Sequence, residues 1–473
     1  MSGCITDEMI RAGFSQAGDF VARVLDCGGN RVFAYMIDGL VSGSDASHYV
    51  FQPMAQMERQ SMEDLYRKAC RGGIYNSVAD PCPDLKTVQT KLVNGFCVVL
   101  FPGVGAVAFE VKTSEKRGIS PPDVENTVKG PKDAFTETVR TNTSILRRHL
   151  RTPDLRLYQT TVGQRSLTMV TVAWIDGLTN PKLVERMKTR LAQIDVDGLL
   201  SPAAVEEYVT GSRKTPFPLL QYTQRGDKFA EGLLTGRIGL LVDGLPLGYL
   251  LPVDIGYLMT SQEDEGVDYL SASFIRILRY GALLLSLLLP GIYVVMATFH
   301  QQMIPLALLR SMIESKQSVP FSTVTEVAGL LLAFELLQQA GIHLPKSIGQ
   351  SVSIIGGIVV GTAAVEASLI SPAALIVVSL AGVCGFALPN QELAEALRLC
   401  RLGMTAAAAF AGMFGIAVGW LLLLRHLSGL ESMGLPYLAP FSQLESVGIL
   451  RTRLVRNEFR PKYLKPLDRR RQK

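Results

Sequence analysis

Two patterns of hydrophobic and polar positions divide the chain. Up to about residue 270, apolar residues come in short runs rich in Val, Phe, Tyr and Ile, bounded by Gly, Asp or Pro. Strands are therefore expected at 31–37, 94–101, 106–111, 166–175 and 237–242, with helical stretches at about 46–70, 133–150 and 181–194. Two strands end alike, in Tyr35-Met36-Ile37-Asp38-Gly39-Leu40 and Ala173-Trp174-Ile175-Asp176-Gly177-Leu178, and each leads into a helical stretch. Gly accepts positive φ and Asp bonds forward to the backbone, so Asp-Gly suits the turn. The repeat predicts a strand-turn-helix unit used twice, an α/β region of two subdomains. The other reading is a common turn used often, since Asp197-Gly198 and Asp243-Gly244 occur too. Phe101 to Ala106 is glycine-rich without a phosphate-binding pattern and reads as a hairpin turn.

Beyond residue 270 the pattern changes to long apolar stretches. Residues 280–299 carry no charge and would make about 30 Å of helix, enough to cross a bilayer. Arg276 and Arg279 flank the front end, and Pro290-Gly291 should kink the middle. Residues 404–424 form a second uncharged run, in which Gly415 and Gly419 would let another helix approach closely. Spans at 372–389 and 351–370 bring the expected number to four, although no loop separates Ile370 from Pro372. Residues 325–340 carry Glu326 and Glu335, and their length suits a re-entrant or interfacial helix. The expected organisation is an α/β region over 1–270, a membrane domain over 271–428 and a basic tail over 429–473.

Composition sharpens this division. Only 12 of the 146 positions from 280 to 425 are charged, which excludes a purely soluble protein. The front region has no uncharged run long enough to cross, which argues against a transporter built of membrane helices throughout. Ten Lys/Arg against Glu458 and Asp468 between Arg451 and Lys473 attract anionic headgroups and place the tail in the cytoplasm. Nucleic-acid binding is disfavoured, because no groove-reading helix or stacking platform accompanies the tail. The start, Met-Ser-Gly-Cys-Ile-Thr-Asp-Glu, lacks a signal-peptide pattern, so both ends are expected on the cytoplasmic side and the number of crossings to be even. Seven scattered cysteines with no CxxC pair read as reduced thiols. Residues 112–132 read as an exposed loop. Arg140, Arg147, Arg148 and Arg151 after it form a basic cluster that either docks acidic partners or lipid headgroups or is a solvated helix face.

Enzyme signatures are missing: there is no GxxxxGK[ST], GxSxG or HExxH, and His48, His149, His300, His343 and His426 have no ligand spacing. No cofactor, metal or catalytic site is expected. An ionisable residue within an apolar span marks a candidate site. Glu366, behind a run of Gly, Thr and Ala, is one such residue; Glu326 and Glu335 are the others. Helical spacing groups Ser351, Ile358, Thr362 and Val365 on one face, with Gly361 on a neighbouring one. If several subunits bring this helix to a common axis, the small residues permit close approach and the oxygens of Ser, Thr and Glu face a cation. The alternative is that the small residues pack helices within one subunit and Glu366 sits at the interface.

Several ordered blocks resemble the GerA family, the A subunits of bacterial spore germinant receptors. They are Arg117-Gly118-Ile119, the run from Val128 to Glu137, Asn142 with Arg147-Arg148, Pro216-Phe217-Pro218, Leu233 to Arg237, Asp243-Gly244, Pro305, Pro320-Phe321, Glu326, Glu335, Ala340 to Pro345 and Gly356 to Val365. The resemblance implies a multi-pass subunit of the spore inner membrane that works with B-type and C-type partners. It further implies a homo-oligomer that conducts ions when nutrient is sensed. Thr223-Gln224-Arg225-Gly226-Asp227 departs from the family's T-E-R-P-D, which puts an ion pair and a rigid turn there in question. An accessory relative that acts as a scaffold or modulator of a separate channel fits the same blocks.

Overall fold

The structure, a computed structural model, describes residues 5–74, 78–112, 125, 130–199, 201–211, 215–343 and 361–442. Near-continuous apolar strands need cover on both faces, and the front region supplies it twice. β1 (Phe20–Cys27), β2 (Asn30–Ile37), β3 (Ala79–Cys82), β4 (Phe96–Phe101) and β5 (Gly105–Glu110) make an antiparallel sheet in the order β1-β2-β4-β5-β3. β6 (Leu155–Val162), β7 (Thr168–Ile175), β8 (Gln221–Thr223), β9 (Ile238–Val242) and β10 (Gly248–Leu251) make another in the order β6-β7-β9-β10-β8. The second order is the first with each strand advanced by five. The same sheet is thus built twice, and the two Asp-Gly turns close equivalent strands with Gly39 at φ +83° and Gly177 at φ +75°.

Alternate residues of each central strand feed opposite cores. Cys97, Val99 and Phe101 of β4 pack with Leu65 and Ala69 of α1 (Met62–Cys70), while Phe96, Val98 and Leu100 pack with Val88 and Leu92 of α2 (Leu85–Val93). In the second lobe Ala173 and Ile175 of β7 face α3 (Val139–His149), whereas Val170, Val172 and Trp174 face α4 (Pro181–Ala192). α5 (Gly226–Leu234) joins the α3 side. The expected strands lie within two residues of β2, β4, β5, β7 and β9. The hairpin at 101–106 forms with Phe101 opposite Gly105 and Gly103 at φ +78°. The stretch 46–70 is not one helix: short helical turns end at Gln56, and α1 begins afresh after Ser61, whose side chain caps it.

The basic cluster neither stands apart as a docking face nor is uniformly solvated. Arg147 is fully buried and grips Asp19 of the first lobe through two bonds of 2.7 and 2.9 Å. Arg140 pairs with Asp38, and Arg156 donates to the carbonyls of Gly13 and Ser15. The amide of Gly18 also donates to Leu157 O at 2.7 Å. These residues join the two lobes.

Five helices of eleven or more residues follow among the described residues: α6 (Tyr269–Thr298), α7 (Leu306–Lys316), α8 (Thr323–His343), α9 (Pro372–Phe386) and α10 (Gln391–Ser428). α6 is long and apolar enough to cross a membrane, and α10 is so when its whole length is taken as one helix. α6 stays helical through Pro290. α10, expected to hold one straight run over 404–424, reverses at Gly412, where φ is +60° and ψ −139°. A Cβ on Gly419 would lie 2.7 Å from Met404 Sδ, and one on Gly415 would overlap the carbonyl of Ala407. In a straight helix Met404 and Gly419 would be about 22 Å apart. The Gly415/Gly419 pair therefore does receive a close helix, namely the other arm of its own hairpin.

Direction along the bundle follows from pairwise contacts. The tip at Gly412 meets Phe299 at the end of α6, and a Cβ on Gly291 would lie 3.5 Å from Ala408 Cβ. The first turn of α8 meets the start of α9 through Glu326 and Ser371, as described below. The opposite end docks on the second lobe. Asn390 donates to Gln221 at 3.0 Å, Thr215 bonds His426 at 2.9 Å, and Ser432 links Val253 N to Leu219 O. Buried Asp264 holds Arg276 and Arg279 at 3.0 and 2.8 Å, tying α6 to the front region.

Candidate functional site

Of the residues grouped on one helix by spacing, Ser351 and Ile358 lie outside the described residues, as does the basic tail beyond Ser442. Residues 361–366 are helical. This helix ends in a Schellman arrangement: Leu369 N donates to Ala364 O, Ser368 N donates to Val365 O, and Ser368 takes φ +53°. Ser371 then caps α9 by accepting from Ala374 N, with Pro372 at the first position. The connection is therefore the turn at 367–370 followed by the cap Ser371.

Gly361 is buried, and a Cβ there would touch Leu375 of α9 at 3.5 Å. Thr362 and Glu366, one turn apart, are exposed, and Val365 is half-buried. Within one subunit, then, Gly361 faces the neighbouring helix, while Thr362 and Glu366 are presented outward.

Glu326 and Glu335 are ion-paired across helices. The side chain of Glu326 is fully buried and accepts from both Ser371 N at 3.2 Å and Ser371 Oγ at 2.7 Å. Lys316, at the end of α7, approaches its other oxygen at 3.6 Å. Glu335 meets Arg398 on the first arm of α10 at 3.1 Å, and Arg398 also reaches Glu395. Burying a carboxylate is costly unless a cation or donors compensate it, and here both kinds are present. Sequence reasoning missed Lys316, Ser371 and Arg398. The signal for Arg398 was available: Glu395, Arg398 and Arg401 recur at helical spacing on the edge of an apolar run.

The block that departs from the family pattern keeps an ion pair. Arg225, buried, holds Asp227 at 3.0 and 2.6 Å and donates to Pro131 O at 3.0 Å. Gly226 fits because a Cβ there would come within 2.6 Å of Ile145 Cγ2. Asn142 accepts from Thr136 N and donates to Thr136 O, and Asp243 accepts from Val139 N at the start of α3. Among the described residues, these blocks brace the second lobe. No group of three or more His, Cys, Asp or Glu among them could hold a metal ion.

A two-lobed antiparallel α/β region carried on an apolar helical bundle defines a class: proteins with a large polar front domain and helices long and apolar enough to cross a membrane. The model of the Bacillus/Clostridium GerA spore germination protein family matches residues 8–466, and the chain belongs to that family. It is 34% identical to the uncharacterized membrane protein YfkQ of Bacillus subtilis strain 168 over 90% of this chain and 83% of that one. It is 32% identical to spore germination protein B1 of the same strain over 85% and 84%. The crystal structure of the N-terminal domain of the A subunit of the Bacillus megaterium spore germinant receptor GerK3 covers 51% of this chain and 91% of its own, at 26% identity and a TM-score of 0.40.

Proposed function

We propose that this chain is an A-type subunit of a nutrient-responsive germinant receptor in the spore inner membrane. It assembles with itself and with B-type and C-type subunits, keeps both ends in the cytoplasm, and supplies the ion-conducting path. The match to the GerA family over residues 8–466 carries this reading. The outward pair Thr362 and Glu366 supports the conducting role, because a second copy brought against that face would line an axis with a hydroxyl and a carboxylate. Nutrient energy shifts the channel only if the ligand binds the open assembly better than the closed one. No catalytic step is assigned.

The bundle also supports common sidedness of the ends. α6 and the first arm of α10 run away from the front region, and α8, α9 and the second arm run back. Residues 361–366 lead through the turn at 367–370 into Ser371 at the start of α9.

Spores of a strain lacking this chain test the role. Release of monovalent ions on exposure to a mixture of amino acids and sugars should be lost, and restored by the intact gene. Spores that respond unchanged to every nutrient would contradict it. The similarity to YfkQ, which bears no germination name, favours a second reading as an accessory modulator. In that case germination would persist with altered sensitivity.

A further inference from the structure

Among the described residues of the bundle, α7 is a helix exposed along most of its length. It has no buried residue, yet it carries Leu306, Leu308 and Ile313, which are 64%, 54% and 50% exposed. Its residues are sorted by side. Leu306, Leu309 and Ile313 recur at three- and four-residue spacing, with Met312 and Leu308 continuing the apolar arc, while Arg310, Ser311 and Glu314 take the opposite side. Met303 before it and Phe321 after it are likewise exposed.

Its place in the fold says what covers that arc. α7 begins seven residues after Phe299, the point level with the hairpin tip at Gly412. It ends at Lys316, which bonds Thr323 and pairs with Glu326 in the first turn of α8. Leu309, Met312, Ile313 and Lys316 line a small cavity of about 60 Å³ with Tyr293 and Ala297 of α6 and Ser371 before α9, so that side of the arc faces the bundle, while Leu306 and Met303 stay outside it. Both ends of α7 thus sit at the same end of the bundle, the one away from the front lobes. The helix lies across that end and not along it. Exposed apolar side chains of the bundle wall, Leu284 and Leu285 on α6 and Phe410 and Phe414 beside the tip, lead up to the same level.

We propose that α7 is an interfacial helix that rests on the leaflet farther from the front lobes. Leu306 and Met303 enter the acyl boundary, and Arg310 reaches up to the headgroups. Lys316 pins the helix to Glu326, so that it stays parallel to the membrane plane. The inference rests on the membrane reading of α6, and the experiment separates the two.

Full-length protein is reconstituted in phosphatidylglycerol/phosphatidylethanolamine vesicles brominated either near the headgroup or near the chain ends. Added tryptophan emission is read at Leu306→Trp, Met303→Trp, Ser311→Trp and Leu284→Trp, with the parent spectrum subtracted. Bromine near the headgroup should quench Leu306→Trp and Met303→Trp at least twofold more than bromine at the chain ends. Aqueous iodide should quench Ser311→Trp instead, and deep bromine should quench Leu284→Trp. If Leu284→Trp is quenched by lipid while both Leu306→Trp and Met303→Trp respond to iodide, or to neither quencher, the interfacial role is overturned and the membrane reading stands. If Leu284→Trp is untouched by lipid, both fall.

Discussion

At the residue scale, two arginines about two helix turns apart have different weights. Arg147 is fully buried against Asp19, and Arg140 meets Asp38 at the surface. Arg147→Ala leaves a buried carboxylate unpaired and should cost about 3–5 kcal/mol. Arg140→Ala should cost about 0–1 kcal/mol. Chemical unfolding of the two variants beside the parent measures the contrast, and equal costs would contradict the joint between the lobes. Sequence placed both residues on one basic helix; what it could not show is that the first lobe folds back onto them, because Asp19 lies 128 positions away. Burial also raises the Cys97 thiol to about 12 and the Cys82 thiol to about 11. Both should resist alkylation at pH 8 in the folded protein and react on unfolding, as peptide mass spectrometry would show. Asp133 is held below the usual carboxylate range by a 2.8 Å bond from His149. Its stabilisation is present above the unfolded value of about 3.9 and is lost as pH falls through the lower folded value. His149→Phe should flatten the acid limb of unfolding.

At the element scale, the hairpin in α10 stands on glycines. Gly415→Leu would drive a side chain into the carbonyl of Ala407, whereas Gly403 and Gly382 have nothing within 4 Å. The first change should destabilise the detergent-solubilised protein by about 3 kcal/mol or more, and Ala at the other two should leave its melting temperature nearly unchanged. Hydropathy and length show an apolar run over 404–424 but are blind to a reversal, since a positive φ at Gly412 leaves no mark on either. The small-residue spacing did announce a close helix, though not that its partner was the preceding arm. Glu326→Ala removes the acceptor for the Ser371 amide and hydroxyl and the partner of Lys316. It should lower stability by about 2–4 kcal/mol, with Glu326→Gln intermediate. Both variants are read by thermal unfolding in detergent.

For the molecule as a whole, the duplicated sheet was legible because β2, β4, β5, β7 and β9 are short apolar runs and β2 and β7 end in the same Ile-Asp-Gly-Leu. The other five strands were not legible: β1 and β6 are edge strands with exposed polar residues, and β3, β8 and β10 have four residues or fewer. Candidate site residues were legible as residue types, but not in their partners. Glu326 and Glu335 turn inward to cations, and Gly361 packs on Leu375, which leaves Thr362 and Glu366 as the exposed pair. The second lobe docks through Asn390, His426 and Ser432 on one end of the bundle.

The central claim is conduction through this chain. Its direct test is nutrient-stimulated potassium flux from vesicles holding the purified protein with its B-type and C-type partners, comparing the parent with Thr362→Trp and Glu366→Gln. The account predicts flux in the parent, a block by the bulky residue of tenfold or more, and weaker cation preference in Glu366→Gln. Folded, assembled complexes that pass no potassium, or pass it equally well with tryptophan at 362, would contradict it.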